Sequence, residues 1–498
     1  MAQRDGDIEA AGFIPGARAF AKELAPSFID HTCIVNGFAP PDGSPLGEGV
    51  GAGFAWCELH CGSAVTATLL AGCNPVGDFH AIDARGHLLE QARMLAKDGN
   101  VRNIAFHEMD VEQAHAASFP MFDYIVLNGI YSWVPLRERA LILSFVRKFL
   151  KPGGAVLVTY NARPGWNRLD PFRRIFREAT RGRNVDPKAR FDAAREIYAK
   201  LLEAKAPALM ATGVTPATIE EISRIPLEVI AADYANDFAE PLYATEVFSD
   251  FSAIDCAFAG PVEMAESATV LATHEPFKSA MESMPHVAGK ELAKDLLRDT
   301  RFRRDVFVRG GRRMAADNRA MVMAGLAFVL EQPAAVTRYD VKVPYGLLRF
   351  DNEHARALVD TLEKAPRTLG DLIADAHTRG IDPQAVVGNV HALLVTGQIR
   401  PVYRATREAE QGARALRPAI AARAAKPDAI GYMPTALGTA FAVPVPDQIF
   451  LGLPRNMPAD EMAKMATKQL PPMGDVIVSR ARAFARNLPR YRSLGVTT

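Results

Sequence analysis

The feature that most constrains this chain is a series of short apolar runs separated by helix-length segments, beginning near residue 52 and ending near residue 160. Residues 54–59, 77–83, 104–107, 122–127 and 155–160 each have strand length and stop at turn-forming or polar residues. Between them, 63–71, 86–97 and 136–150 are long enough for helices, the last stopping at Lys151-Pro152-Gly153-Gly154. Strands joined by crossover helices lie parallel, so the expected fold class is α/β, with a doubly wound Rossmann-like sheet. Ligands in such sheets sit beyond the carboxyl ends of the strands, near the reversal of strand order. The residues that end each run are therefore the first place to look for chemistry.

The 498 residues leave room for more than this unit. Residues 1–45 read as a helical lead-in, with 12–38 as its helical part, and 46–165 as the sheet-bearing core. Residues 166–250 read as a helical insertion with candidate helices at 171–181, 187–212, 216–223 and 227–236. Within 251–311, the stretches 255–262 and 305–309 are strand candidates that would close the sheet. Residues 312–410 are expected to be mostly α, with three helices and a short strand over 350–403 in a winged-helix-like arrangement. The C-terminal region, 411–498, reads as partly loop-like because of its Ala/Arg-rich and Pro-rich stretches.

Composition narrows the function classes. Hydrophobic residues make up 49% and charged residues 23%, the balance of a soluble globular protein. A net charge of +1 supplies no overall field for nucleic acid or anionic lipid. The longest apolar run, 320–330, falls short of the roughly 20 residues a bilayer span needs. No membrane insertion is expected, and the polar start Met1–Asp7 makes the cytoplasm the expected location. Cys57, His60, Cys61 and Cys73 crowd together, but their spacing fits no closed zinc pattern, so no metal is expected.

An adenosine-bearing methyl donor needs three things at the strand ends, and each has a candidate. After the first strand, Glu58-Leu59-His60-Cys61-Gly62-Ser63 offers a close backbone approach at Gly62 and helix N-terminal amides beyond it. Asp83 ends the second strand, where a carboxylate can accept from both ribose hydroxyls. Asp110 follows the third, within reach of an adenine amino group. Each alone is weak, since a strand-end Asp is more often a turn former or helix cap. The signal is the ordered set. A nicotinamide site would want G-x-G-x-x-G, and here Gly62 stands without flanking glycines, His60 and Ala64 taking those places.

From Phe122 to Pro135 the chain reads Phe-Asp-Tyr-Ile-Val-Leu-Asn-Gly-Ile-Tyr-Ser-Trp-Val-Pro, followed by Leu150-Lys151-Pro152-Gly153-Gly154 and Tyr160-Asn161-Ala162-Arg163-Pro164-Gly165-Trp166. With Glu23-Leu24-Ala25-Pro26 and the stretch 301–310, these residues resemble class I S-adenosylmethionine-dependent methyltransferases with a methyltransferase regulatory domain. The group includes bacterial outer-membrane-protein lysine methyltransferases. The resemblance spans roughly 12–452, strongest over 122–166, and implies S-adenosyl-L-methionine as cofactor, a protein lysine as acceptor and a regulatory role for 312–410. Three departures stand out: His60 and Ala64 in place of loop glycines, and Ile14 and Gly16 where the resemblance leads one to expect tyrosines.

Methyl transfer to an amine is an in-line displacement, so the acceptor must be neutral and aligned. Deprotonating a lysine of pKa about 10.4 at pH 7 costs roughly 4.6 kcal/mol, which a dry aromatic channel offsets. Tyr131 and Trp133 after the fourth strand are the candidate catalytic aromatics, with core packing as their equal alternative. Tyr160 and Trp166 stand at or after the fifth strand, Trp166 reading as a turn anchor. Asn128, at the tip of the fourth strand, is a candidate for both acceptor and cofactor contacts. Residues 163–195 carry ten Lys/Arg against four acids, a solvated helix face by default or else a docking surface for an acidic protein or RNA. A protein substrate is the expected partner. RNA ranks third among acceptors because aromatics are sparse among the basic residues. Homodimer formation is left open. Acceptors other than protein lysine, and a non-catalytic module that binds a partner with the same fold, are the alternatives. Every candidate cofactor group precedes 165, so residues beyond about 311 are expected to serve substrate choice, and a chain ending near 330 to keep cofactor binding.

Overall fold

A computed structural model describes residues 20–47, 53–179, 181, 186–224, 230, 233, 234, 236, 238–267, 275–343, 346–424, 426, 429–454, 457–468 and 476–496. Residues 12–19 of the expected lead-in, with Ile14 and Gly16, and most of the candidate helix 227–236 lie outside the described residues.

The apolar runs become β1 (Ala55–Leu59), β2 (Asp78–Asp83), β3 (Ile104–Glu108), β4 (Phe122–Leu127) and β5 (Leu150–Asn161), all parallel. The crossover helices are α2 (Val65–Cys73), α3 (Gly86–Asp98), α4 (Val111–Ala116) and α5 (Leu136–Phe149), behind a lead-in helix α1 (Pro26–Val35). Two later strands, β6 (Cys256–Pro261) and β7 (Phe302–Arg309), complete one sheet of seven in the order β3-β2-β1-β4-β5-β7-β6. β7 is antiparallel to both β5 and β6, so it alone runs against the others. The order reverses between β1 and β4, which opens a crevice at their carboxyl ends.

Strand alternation sorts the sheet into two apolar layers. Trp56, Phe79, Tyr124, Val126, Leu157 and Val306 face α1, α2 and α3. Ile125, Leu127, Val156, Val158 and Phe307 face Phe145 and Val146 of α5, and Phe248 and Phe251 of α8 (Ala244–Ser252). The insertion has its own core, where Trp166, Phe172, Phe176, Phe191, Tyr198 and Tyr234 pack between α6 (Asp170–Glu178) and α7 (Pro187–Glu203). Trp166 is buried there, 5.6 Å from Tyr234, an anchor for the turn it ends.

Beyond the sheet, β8 (Ala327–Leu330), β9 (Arg367–Thr368) and β10 (Ile399–Val402) form a three-stranded antiparallel sheet. Helices Glu353–Lys364, Leu369–His377 and Pro383–Val395 pack on it. The tail departs from its loop-like expectation. Helices Arg407–Ala421, Val445–Leu451, Ala459–Thr467 and Val476–Ser493 bury Leu416, Ile420, Phe450 and Phe484 in the same apolar layer as α2. The approach is closest at a glycine pair: a methyl group on Gly412 would stand 2.6 Å from the Gly72 carbonyl oxygen. Asp30 of α1 adds a polar tie, accepting from Tyr124 (2.7 Å), Tyr403 (2.6 Å) and Ser44, while burial pushes its pKa up to about 6. Ending the chain near 330 would strip these contacts from the cofactor-bearing layer, so cofactor binding is not expected to survive that cut.

Candidate active site

The turn after β1 repeats a left-handed backbone at alternate positions: His60 at φ 60°, Gly62 at φ 58° and Ala64 at φ 48°. Glycine is the residue that adopts this conformation without a Cβ penalty, which for an L-residue is about 1–2 kcal/mol. His60 and Ala64 therefore keep the path that glycines would take, at a cost in strain. The turn is pinned to β2 by the Cys61 amide on the Ile82 carbonyl (3.0 Å) and the Gly62 amide on Asp83 Oδ2 (2.8 Å).

Three carboxylates differ sharply in environment. Glu58 is 1% exposed at the end of β1, and its Oε2 is a buried oxygen without a hydrogen-bond partner. Burial first, and then the charge of Asp83, push its pKa up to about 8, against a hydrogen bond from Asn128. Asp83 is also buried, but Arg85 answers its charge. The Arg85 amide and Nε donate to Oδ1 at 2.9 and 2.8 Å, and Nη2 donates to Oδ2 at 2.8 Å. Burial raises the Asp83 pKa, but the Arg85 and Gly62 bonds outweigh it and hold the carboxyl below its ordinary value. Asp110 is exposed and caps α4, accepting from the Gln113 amide at 2.8 Å in a reciprocal capping box.

These residues fit the donor. Glu58 Oε2 is a buried acceptor open to an ammonium such as the donor's, and His60 Nε2 is likewise without a hydrogen bond, 3.6 Å from Glu138. Asp83 can offer its oxygens to a ribose once the Arg85 side chain, 39% exposed, turns outward. Cys57, Cys61 and Cys73 are buried thiols whose pKa burial drives upward, and no metal-holding cluster of His, Cys, Asp or Glu occurs among the described residues.

On the acceptor side the aromatics part company. Tyr131 is fully buried, donates to Asp250 Oδ2 (2.6 Å) and packs against Phe251, so in this structure it is a core aromatic and not a channel wall. Tyr160 is equally buried and donates to Asp305 (2.6 Å). Trp133 remains half-buried. Its Nε1 donates to Asp233 Oδ1 at 2.9 Å, and the same oxygen accepts from Asn161 Nδ2 at 2.8 Å. Burial lifts the Asp233 pKa to about 6 against those two bonds. Asn128 is buried, its Oδ1 accepting from Thr159 Oγ1 (3.1 Å), whose oxygen also takes the Gly129 amide. Asp233, Thr159 and Arg85 do not stand out in the sequence, and Asn161 appears there only inside the stretch 160–166. Arg85, two positions after a strand-end acid, was the only one with a local signal.

A seven-stranded sheet in this order, with acids ending β1 and β2, is the Rossmann-like methyltransferase fold. Residues 51–184 match the family model of a methyltransferase domain, and residues 227–309 match that of a predicted methyltransferase regulatory domain. The chain thus carries a methyltransferase domain followed by a methyltransferase regulatory domain. The regulatory match falls on the end of the insertion and the last two strands, upstream of the 312–410 stretch expected to hold that role. The chain is similar to the uncharacterized protein sll1526 of Synechocystis, 26% identical over 80% of this chain and 79% of that protein. It is also similar to the uncharacterized protein RP028 of Rickettsia prowazekii, 28% identical over 24% of this chain and 47% of that one. Its fold is similar to PKMT2 from Rickettsia typhi in complex with AdoHcy, with a TM-score of 0.68 at 14% identity over 95% of this chain and 98% of that one.

Proposed function

We propose that this protein transfers a methyl group from S-adenosylmethionine to a lysine amine of a polypeptide in the cytoplasm. The observation that carries the reading is the meeting of Glu58 and Asn128 at the carboxyl ends of β1 and β4, with Trp133 in the loop that follows β4. It sets a buried carboxylate, one oxygen of which has no hydrogen-bond partner, against a polar strand tip. The resemblance over 122–166 supports lysine as acceptor. When bound, the donor supplies an activated methyl group on a sulfonium. The protein positions and desolvates: Glu58 faces the donor's ammonium, Asp83 its ribose, and Asp110 its adenine. Trp133 walls the acceptor channel, held by Asp233, and Asn128 orients the incoming amine. Nothing in this arrangement requires a general base, because dry surroundings favour the neutral amine and alignment supplies much of the remainder.

The direct test is to incubate the full chain with methyl-labelled S-adenosylmethionine and lysine-containing outer-membrane protein, then map the label by peptide mass spectrometry. Label on lysine is expected. Donor binding without label in protein would redirect the reading to another acceptor. No binding at millimolar donor would favour the partner-binding module that His60 and Ala64 suggest.

Donor affinity should also depend on pH in a defined direction. With its pKa raised to about 8, Glu58 is protonated in the free protein at neutral pH, and a bound ammonium favours its ionised form. Binding then releases a proton, so affinity should rise about tenfold per unit between roughly pH 6 and 7.5. Titration calorimetry of Glu58→Gln should give a flat profile. A flat profile for the parent protein would mean that Glu58 does not meet the ammonium.

A further inference from the structure

A cleft of about 700 Å³ is lined by Val134 and Pro135, which follow Trp133 in the chain, and its walls carry five arginines, Arg137, Arg163, Arg173, Arg174 and Arg177, against Asp170 and Glu240. The walls come from the loop after β4, the start of α5, the loop after β5, α6 and the residues just before α8. They are joined to the acceptor side by direct bonds. Arg173 Nε donates to the Asp233 carbonyl (3.0 Å), and the Glu240 amide donates to the Ser132 carbonyl (2.8 Å).

Two of these guanidiniums donate to backbone carbonyls. Arg163 donates to the Pro241 carbonyl (2.9 Å) and Arg173 to the Ala239 carbonyl (2.6 Å). Such bonds fix the arginines in place without cancelling their charge. Asp170 is shared between Arg173 at 3.3 Å and Arg163 at 3.9 Å. Arg174 and Arg137 are 68% and 82% exposed, and their pairs with Glu178 and Glu112 are solvent-screened. On the rim or close to it, Leu136 is 71% and Phe238 60% exposed. Fixed arginines beside exposed apolar side chains suit an acidic peptide, whereas a nucleic acid strand would want a row of stacking aromatics.

We infer that this arginine cleft binds an acidic segment of the polypeptide substrate flanking the lysine, so that the protein selects lysines in acidic surroundings. The inference rests on the lysine reading only for where the lysine ends; the cleft's affinity can be read without chemistry. Two fluorescein-labelled peptides serve as probes: one lysine flanked on each side by two Asp and two Glu, and its Asn/Gln counterpart. With the full chain at about 50 mM salt, anisotropy should show the acidic peptide binding at least about tenfold tighter, a preference that fades near 300 mM. Methyl transfer should show the same preference in KM, with kcat little changed.

The double variant Arg137→Glu, Arg174→Glu, changed at two exposed positions, should lose the preference while methylating the neutral peptide as the parent does. A melting curve checks that it folds. If neither peptide is methylated but the acidic one still binds preferentially, the lysine reading fails and the cleft assignment stands. Equal affinity for the two peptides, or a preference that survives the double variant, overturns the assignment. So does single-stranded RNA displacing the acidic peptide at lower concentration than unlabelled peptide does.

Discussion

Replacing Arg303 with methionine is expected to destabilise the fold by about 3–5 kcal/mol, read as a lowered midpoint in denaturant at unchanged slope. Arg303 is 1% exposed and holds three carboxylates in a nearly water-free joint. Its Nε and Nη2 clasp Asp305 at 2.8 and 2.9 Å, Nη1 reaches Asp295 at 2.8 Å, and Nη2 also reaches Glu291 at 3.0 Å. Lys294 pairs with Glu291 at 2.5 Å, and the Tyr160 hydroxyl donates to Asp305. Even with Arg303 present, burial keeps the Asp305 pKa above its ordinary value. Without it, three buried acids would face one ammonium. Breaking a buried pair costs far more than the pair contributes net, since the orphaned charge stays out of water. A loss under about 1 kcal/mol would show that water reaches this joint.

Asp233→Ala is expected to lower turnover about a hundredfold while leaving donor affinity within a few-fold, the pattern of lost alignment. One oxygen of Asp233 accepts from both Trp133 and Asn161, so the change releases the loop after β4 and the end of β5 together. Asp233→Asn keeps an acceptor there and should retain most activity. Single-turnover kinetics with calorimetry separates the cases. If the asparagine variant is as slow as the alanine one, Asp233 acts through its charge, and its role as a positioning residue is wrong.

The contrast between Arg85 and Asp233 shows what was legible in the sequence. The core sheet announced itself because buried parallel strands are apolar along their whole length, and Gly and Pro punctuate them. Glu58, Asp83 and Asp110 could be placed at strand ends for the same reason. Asp233 could not: Trp133 is 100 residues away and Asn161 is 72, so no local pattern records the meeting. Tyr131 fell to the core for a related reason. Its hydroxyl partner Asp250 lies 119 residues along the chain, and spacing cannot say which side of a strand tip a loop aromatic will take. The tail misled because Ala, Arg and Pro are poor in the apolar periodicity that marks a helix, although its few large residues reach the main core.

The contact between Gly72 and Gly412 ties the two ends of the chain into one equilibrium. Helix α2 begins at the turn proposed to receive the donor and ends beneath Gly412. If docking of the tail favours the ordered turn by some factor, a ligand that orders the turn favours docking of the tail by that same factor, because linkage is reciprocal. Digestion of the last ninety or so residues by a protease thus becomes a gauge of occupancy at the proposed donor site. A partner protein that seized the tail would act on the donor site as an effector.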